Sequence, residues 1–443
     1  IATLGYFDPE QIGINPKPNP ANGTVDIDYS VVEKPSDQIE LSGGWGGFYG
    51  FIGTAGVSFN NFSARNITNF RKWDPLPSGD GQKFSLRVQA NGPSFQSYSV
   101  SFSEPWLGGR RPTSLSVSTS YSMNRLGVGF GLGGGFGGGF GNRNFNNFGN
   151  NVGRGSLSIF NVAVSLGRRI KWPDDFFTLS HSISYSYYTM NNYSFFPSYS
   201  NGNSNSIVFS NTLARNSINN FQFPSVGSSL SFNLAVTPPY SLFNNLAYSD
   251  EEARRRNQYK WVEYYKIMFD AAFYYKIFNT NKGKNPLVFA TRGHFGFIGR
   301  YNNKLNYTPY ERFLLGGNGL SGFNFLLGSD LIGLRGYANN SIGPGQQQNG
   351  GVVFNKFVFE LRYPISLSQM ATVYVLTFAE GGNNWLSYAD YNPFNIYKSV
   401  GIGARIFMPA FGLIGVDYGW PLDLDPGDPR VQNFTFTIGQ QIR

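Results

Sequence analysis

Arg335 is the residue of this chain whose setting most suggests chemistry. It stands between Leu334 and the pair Gly336-Tyr337, in a stretch (302–350) that reads as loop. Further along, Phe378-Ala-Glu380-Gly-Gly382-Asn-Asn-Trp385 puts one carboxylate into a strand-like run. Charged residues are 14% of the 443, about half the usual share, so a lone arginine and a lone acid of this kind point to a buried ion pair. A loop this long, punctuated by Gly316-Gly317 and Gly333, can fold back into a lumen, where an unpaired charge is costly and a guanidinium needs a carboxylate. Strand parity groups Glu380 with Phe378 and Gly382, and sets Asp417 opposite Ile414, Val416 and Tyr418, as a second inward acid. Two carboxylates on neighbouring strands are placed to hold one guanidinium. The alternative is three independently solvated charges.

Other chemistry is thin. His181 and His294 lie far apart in strand-like runs and read as packing residues, not metal ligands. No Gly-x-Ser-x-Gly elbow occurs. Gly133–Gly141 is glycine-rich without the Lys-Ser/Thr of a phosphate loop, and reads as a surface loop carrying aromatics. The acids of 423–428 lack the number and spacing of a calcium loop. With no cysteine there is no thiolate site or disulfide frame. The expectation is a protein that is not an enzyme and has no cofactor or metal. The net charge of +9 is dispersed apart from Arg110-Arg111 and Arg254-Arg255-Arg256. A nucleic-acid binder would gather it on one face, so loop solvation explains it better, with anionic lipid head groups as a second possibility.

The elements that would position Arg335 and Glu380 are strands. Aromatics reach 17%, and 55 glycines suit strands and tight turns. No apolar run is long enough for a membrane helix. The mean hydropathy of −0.26 also fits a membrane barrel, whose inward residues are polar. From Gln38 onward, alternating runs of about 9–12 residues follow one another, the length that crosses a bilayer at a tilt. Sixteen are counted, the run around 206–217 being the weakest. Short turns (107–112, 171–174, 410–412) alternate with long loops (123–154, 191–206, 239–260, 302–350, 386–398), except that 61–80 is long where a short turn is due. Residues 1–37 differ: Leu4–Phe7 and Thr24–Val32 read as the last strands of a small α/β domain. The chain starts at Ile1 without a signal peptide and reads as a piece of a longer protein. The fold expected is all-β, a 16-stranded antiparallel transmembrane β-barrel over 38–443 after a domain fragment over 1–37.

These residues resemble the BamA-type outer-membrane β-barrel assembly factors. Leu334-Arg335-Gly336-Tyr337 is similar to the family's (V/I/L)RG(F/Y) motif in its sixth extracellular loop, and Phe313–Gly317 resembles the approach to it. Phe378-x-Glu380-x-Gly382-x-x-Trp385 resembles the family's FxDxGxxW strand, with Glu for the usual Asp. Met408-Pro409, Asp417-Tyr418 and Pro421 resemble its closing hairpin. Ser103–Trp106 and Glu263–Lys266 resemble earlier strands. Residues 23–40 resemble the end of a last periplasmic POTRA domain. The chain ends in Ile442-Arg443 where an aromatic is common.

The resemblance implies the central subunit of an assembly machinery in the bacterial outer membrane. It would work with unfolded outer-membrane protein clients, accessory lipoproteins or surface subunits, and outer-membrane lipid. No nucleic acid is expected. The POTRA stub would lie in the periplasm and the long loops outside. The barrel would close where strand 38–47 meets strand 431–442. Ile39, Leu41 and Trp45 share a face of the first, which also carries Gly43, Gly44, Gly46 and Gly47; Phe434, Phe436 and Ile438 share a face of the last, with Gly439 on the other. Each glycine weakens a strand by roughly 0.5–1 kcal/mol. A seam that opens sideways and templates a client strand is the mechanism implied. Alternatives are a polypeptide-secretion translocator of the same superfamily and a surface adhesin barrel.

Overall fold

The computed structural model describes residues 13–19, 23–31, 37–46, 50–73, 76–92, 94–109, 113–125, 155–193, 199–220, 222–243, 257–280, 285–317, 329–338, 340–343, 350–368, 371–408, 412–425 and 427–438. At the start, β1 (Gly13–Asn19) and β2 (Thr24–Ser30) form an antiparallel hairpin. Sequence placed the first strand of this pair at Leu4–Phe7, which lies outside the described residues. Gly13–Asn19 holds Pro16 and Pro18, which count against a strand in a sequence pattern. Both prolines share one parity of a strand paired on a single side, where a missing N–H can be tolerated.

The body is one antiparallel sheet of sixteen strands. It begins with β3 (Gln38–Gly46), β4 (Gly50–Phe62), β5 (Gln82–Asn91), β6 (Phe95–Glu104) and β7 (Thr113–Arg125). It continues with β8 (Ser156–Ile170), β9 (Phe177–Asn191), β10 (Gly202–Asn216), β11 (Gly227–Val236), β12 (Tyr265–Thr280) and β13 (Asn285–Gly299). Three short strands then leave the wall: β14 (Arg312–Leu315), β15 (Ser329–Ile332) and β16 (Gly336–Tyr337). The wall resumes with β17 (Val353–Leu367), β18 (Thr372–Trp385), β19 (Tyr397–Met408) and β20 (Gly412–Pro421). After β21 (Val431–Gln432), β22 (Phe434–Ile438) ends it. Each wall strand pairs with its neighbours along the chain, β13 joining β17 across the intervening segment. The run around 206–217 is a full strand, β10, with a 14-residue register against β9.

Alternation separates two faces. On β17, Lys356, Val358, Glu360 and Arg362 are buried, while Phe357, Phe359 and Leu361 are exposed. On β18, Tyr374, Leu376, Phe378 and Glu380 are buried and Val375 is exposed. A polar or charged buried face with an apolar exposed one is the pattern of a barrel whose outside meets lipid.

Two expectations change. The stretch 302–350 is not plain loop: β14 and β15 pair in parallel, and Phe313, Leu315 and Gly317 make bridges to Gly351, Ile342 and Leu334. Phe313 and Leu315 are fully buried, so this segment packs inside the barrel; its glycines had masked its short strands. The last strand is also broken. Val431–Gln432 pair with Tyr337 and Gly336, not with β20, and the wall strand starts only at Phe434.

The wall is uneven. β8, β9, β10, β13 and β17 are 15 residues each, whereas β20 has 10, β3 has 9 and the described part of β22 has 5. At about 3.4 Å per residue, the wall falls from roughly 50 Å of strand to about 31 Å at β3. β3 and β22 come within 8 Å (Cα–Cα), yet among the described residues no ladder joins them. On the long-loop end, the first two connections, 47–49 and 92–94, are short. Hydrogen exchange in a bilayer is expected to be at least 10-fold faster for β3 and β22 amides than for β9 and β10 amides; equal protection would mean a sealed seam.

Candidate functional site

Arg335 sits where the inner segment meets the buried faces of β17, β18 and β20, and is 5% exposed. Its Nε and Nη2 donate to Glu380 Oε2 at 3.1 and 2.9 Å. Nη2 also donates to Glu360 Oε1 at 2.8 Å, and Nη1 reaches Asp417 Oδ1 at 3.5 Å. The Arg335 backbone N–H donates to Glu380 Oε1. The guanidinium carbon lies 3.6 Å from the centre of the Phe378 ring, a cation–π contact. One planar fork thus engages three carboxylates and a ring, a geometry that an ammonium cannot reproduce.

Glu380 is longer than the aspartate usual at its position in the resembling motif. The extra methylene lets one carboxylate meet both the side chain and the backbone of Arg335. Gly382 is in β18, where an added Cβ would lie 2.8 Å from the Asn355 carbonyl oxygen. Gly336 has φ of +89°, and its N–H and Cα would be 2.7 and 3.0 Å from a Cβ on Gly419. Two glycines therefore allow the motif to lie against β20.

Tyr337 is fully buried. Its hydroxyl donates to the Lys398 carbonyl at 2.6 Å. Burial first, and the Asp423 carboxylate next, push its phenol well above the ordinary range. The Gly336–Tyr337 strand pairs with Gln432 and Val431, and Ala338 N–H donates to the Arg430 carbonyl at 2.6 Å. The turn that presents Arg430 is tied by its own bonds to Asp428, at 2.7 and 3.0 Å. These bonds hold the Asp428 carboxyl down at about 2. The motif is therefore stitched to the residues that lead directly into β22.

Sequence reasoning found Arg335, Glu380 and Asp417 and missed the other charges of the cluster. Glu360 also accepts from Arg362 (2.6 and 2.9 Å) and from Arg292 (2.7 Å). Asp417 accepts from Arg405 Nη2 at 2.9 and 2.8 Å. Lys356 Nζ is 3.9 Å from Glu380. Glu360, Arg362 and Lys356 lie on the parity of β17 opposite the exposed Phe357, Phe359 and Leu361, but the basic members read as part of a dispersed charge. A second tie lies farther out: Lys266 reaches Glu311 at 2.8 Å and Asp330 at 2.6 Å, with Phe313 under it at 5.2 Å. His294 and His181 bond to Asp270 and Asn211, each at 2.6 Å.

The seam residues are placed by their backbones. Ile39 is 79% exposed, and Phe434 and Phe436 are each 38% exposed. Gly43 and Gly44 lie in β3 opposite Gly53 and Ile52 of β4. Leu41 and Trp45 are in β3 and Ile438 in β22, but their side chains lie outside the described residues, as does Gly439 altogether.

Comparison with known proteins follows this geometry. The Omp85 superfamily domain matches residues 78–442. No curated protein is detectably similar in sequence. Among solved structures, BamA from Haemophilus ducreyi lacking POTRA domains 1–3 aligns over 98% of this chain and 75% of its own, with a TM-score of 0.64 at 17% identity. CdiB from Escherichia coli aligns over 98% and 68%, with a TM-score of 0.55 at 13% identity. CdiB from Acinetobacter baumannii aligns over 96% and 65%, with a TM-score of 0.53 at 11% identity. At such identities the likeness is one of fold; the matched domain carries the family. The chain belongs to the Omp85 superfamily.

Proposed function

We propose that this protein is the central barrel of an outer-membrane protein assembly machinery, which folds and inserts client β-barrels through a lateral seam between β3 and β22. The observation that carries this reading is the pairing of Gly336–Tyr337 with the residues leading into β22. The buried arginine cluster fixes the inner segment, and that segment holds the start of the seam's last strand. Beyond it, β3 has 9 residues against 15 in the longer wall strands and is rich in glycine, and no ladder among the described residues joins it to β22. A strand edge of this kind is normally a liability; here it serves as the template for an incoming client strand by β-augmentation. The shortened wall beside it favours a thinned bilayer, which lowers the barrier to insertion. No catalytic chemistry is assigned.

In this reading 1–37 is the end of a periplasmic POTRA domain, the short-turn end faces the periplasm, and the long loops face outside. Clients are unfolded outer-membrane proteins, delivered with the help of accessory lipoproteins, and outer-membrane lipid surrounds the barrel. The second reading is a secretion translocator of the same superfamily, which would pass its substrate through the lumen. The fold does not separate the two. The packed inner segment, with Phe313, Leu315 and Tyr337 fully buried, favours a lumen that stays closed.

Arg335→Ala leaves Glu360, Glu380 and Asp417 with less compensation, at a cost of roughly 3–5 kcal/mol. The barrel is expected to form, to unfold at a lower temperature in detergent, and to insert clients at least 10-fold more slowly. Arg335→Lys is expected to recover little, since a point charge cannot bridge three acids. Wild-type insertion by either variant would remove the latch from the mechanism. A cysteine pair joining β3 to β22, in a chain with no native cysteine, is expected to stop client insertion until it is reduced. Full-rate insertion by the locked form would exclude lateral opening.

A further inference from the structure

The connector between β4 and β5 is the long exception at the short-turn end. It is a built element: two short 3-10 turns cover Ala64–Asn66 and Phe70–Lys72. Ser63 Oγ donates to Asp80 Oδ2 at 2.6 Å and accepts from Asn66 N–H, the Ala64 N–H donates to Gln82 Oε1 at 2.7 Å, and Trp73 Nε1 donates to the Asn66 carbonyl at 3.2 Å. Yet this braced loop presents apolar groups to the outside. Phe70 is 75% exposed, Ile67 47% and Trp73 37%, with the Phe70 and Trp73 rings 5.2 Å apart. Arg65 and Arg71 are exposed between them.

The next turns along the same rim repeat the combination. Trp106 is 54% exposed in the connection after β6, and Trp172 is 81% exposed beside the exposed Lys171 in the one after β8. Three acids of this rim are engaged within the protein, Asp80 by Ser63, Glu104 by Gln82 at 2.7 Å and Asp174 by Arg215 at 2.8 Å, while Asp175 is exposed. The rim also continues the outer wall. Phe62, at the foot of β4, stacks on Phe84 at 5.2 Å and packs against Phe102 at 6.2 Å. Phe84 shares its parity on β5 with the exposed Leu86 and Val88.

We propose that the described residues 63–73 and 76–81 of this connector, with the neighbouring turns, form a docking surface for anionic lipid head groups on the leaflet at the short-turn end, one strand from the seam. Aromatic rings that are apolar at one end and polar at the other settle at the headgroup level. Arginines among them add electrostatic attraction for anionic lipid near the surface. Bracing by Ser63, Asp80 and Gln82 fixes the depth of the rings. The connector would thereby hold the thin part of the wall at a set height in the bilayer. This rests on the transmembrane reading of the wall.

A nitroxide on Phe70→Cys, the only thiol in the chain, tests it in bilayers of phosphatidylcholine with and without phosphatidylglycerol. A second label on Val88→Cys reports the wall. With phosphatidylglycerol, the Phe70 label is expected to be more accessible to oxygen than to a water-soluble nickel chelate. Replacing Arg65 and Arg71 with glutamine is expected to lower that ratio at least twofold, with Val88 unchanged. A Phe70 label open to nickel while Val88 stays lipid-buried would overturn the proposal and leave the rim to a protein partner. The same depth with or without phosphatidylglycerol and the arginines would overturn headgroup recognition. A Val88 label open to nickel would instead overturn the membrane reading of the wall, and this proposal with it.

Discussion

The structure depends on placing one guanidinium inside a barrel. Removing an ion from water costs several kcal/mol even after relaxation. Arg335 meets that cost with Glu380, Glu360 and Asp417 in one fork, and with Phe378 stacked against it. The three acids come from three different wall strands, β18, β17 and β20. The interaction therefore does more than seat a loop: it ties the inner segment to an arc of the wall and fixes the relative height of those strands. The further arginines on Glu360 and Asp417 keep each acid matched, so no carboxylate of the cluster faces Arg335 alone.

From that fixed point the rest follows by continuity of the chain. Gly336 and Tyr337 can pair with Val431 and Gln432 only because Arg335 is held and Gly419 leaves room. That pairing withdraws two residues from the last strand, so β22 begins late. In the proposed role, a β22 that starts late beside a glycine-rich β3 is the weak line of the wall. The side remote from it holds the longer strands β8, β9, β10, β12 and β13, with extended registers. Rigidity and weakness are thus distributed by the same packing: the inner segment strengthens the wall from β17 to β20 and shortens what comes after.

Much of this was legible in the sequence. Period-two alternation identified the strands, because each wall residue faces either lipid or lumen. Glu380 and Asp417 stood out because they fall on the inward parity beside Phe378 and opposite Tyr418. What the sequence hid has physical causes. Glu360 is closer in sequence to Arg335 than Glu380 is, but it and Arg362 carry no motif, and only the pairing of β13 with β17 adds Arg292 to them. The short strands β14 and β15 are parallel, and a pair of four-residue runs separated by glycines leaves no period to detect. β21 is two residues long, and its partner is a loop. Pro16 and Pro18 disguised β1 because a proline rule for inner strands does not bind a strand paired on one side.

The proposed role turns on where a client first pairs. A client barrel arrested during insertion, with photoreactive groups placed one by one along β3 and along the inward faces of β5 and β17, addresses that directly. Crosslinks from the client's terminal strand to successive β3 positions, with none from Gln89 or Lys356, are the expected result. Crosslinks confined to those inward positions, with β3 silent, would contradict it and mark passage through the lumen.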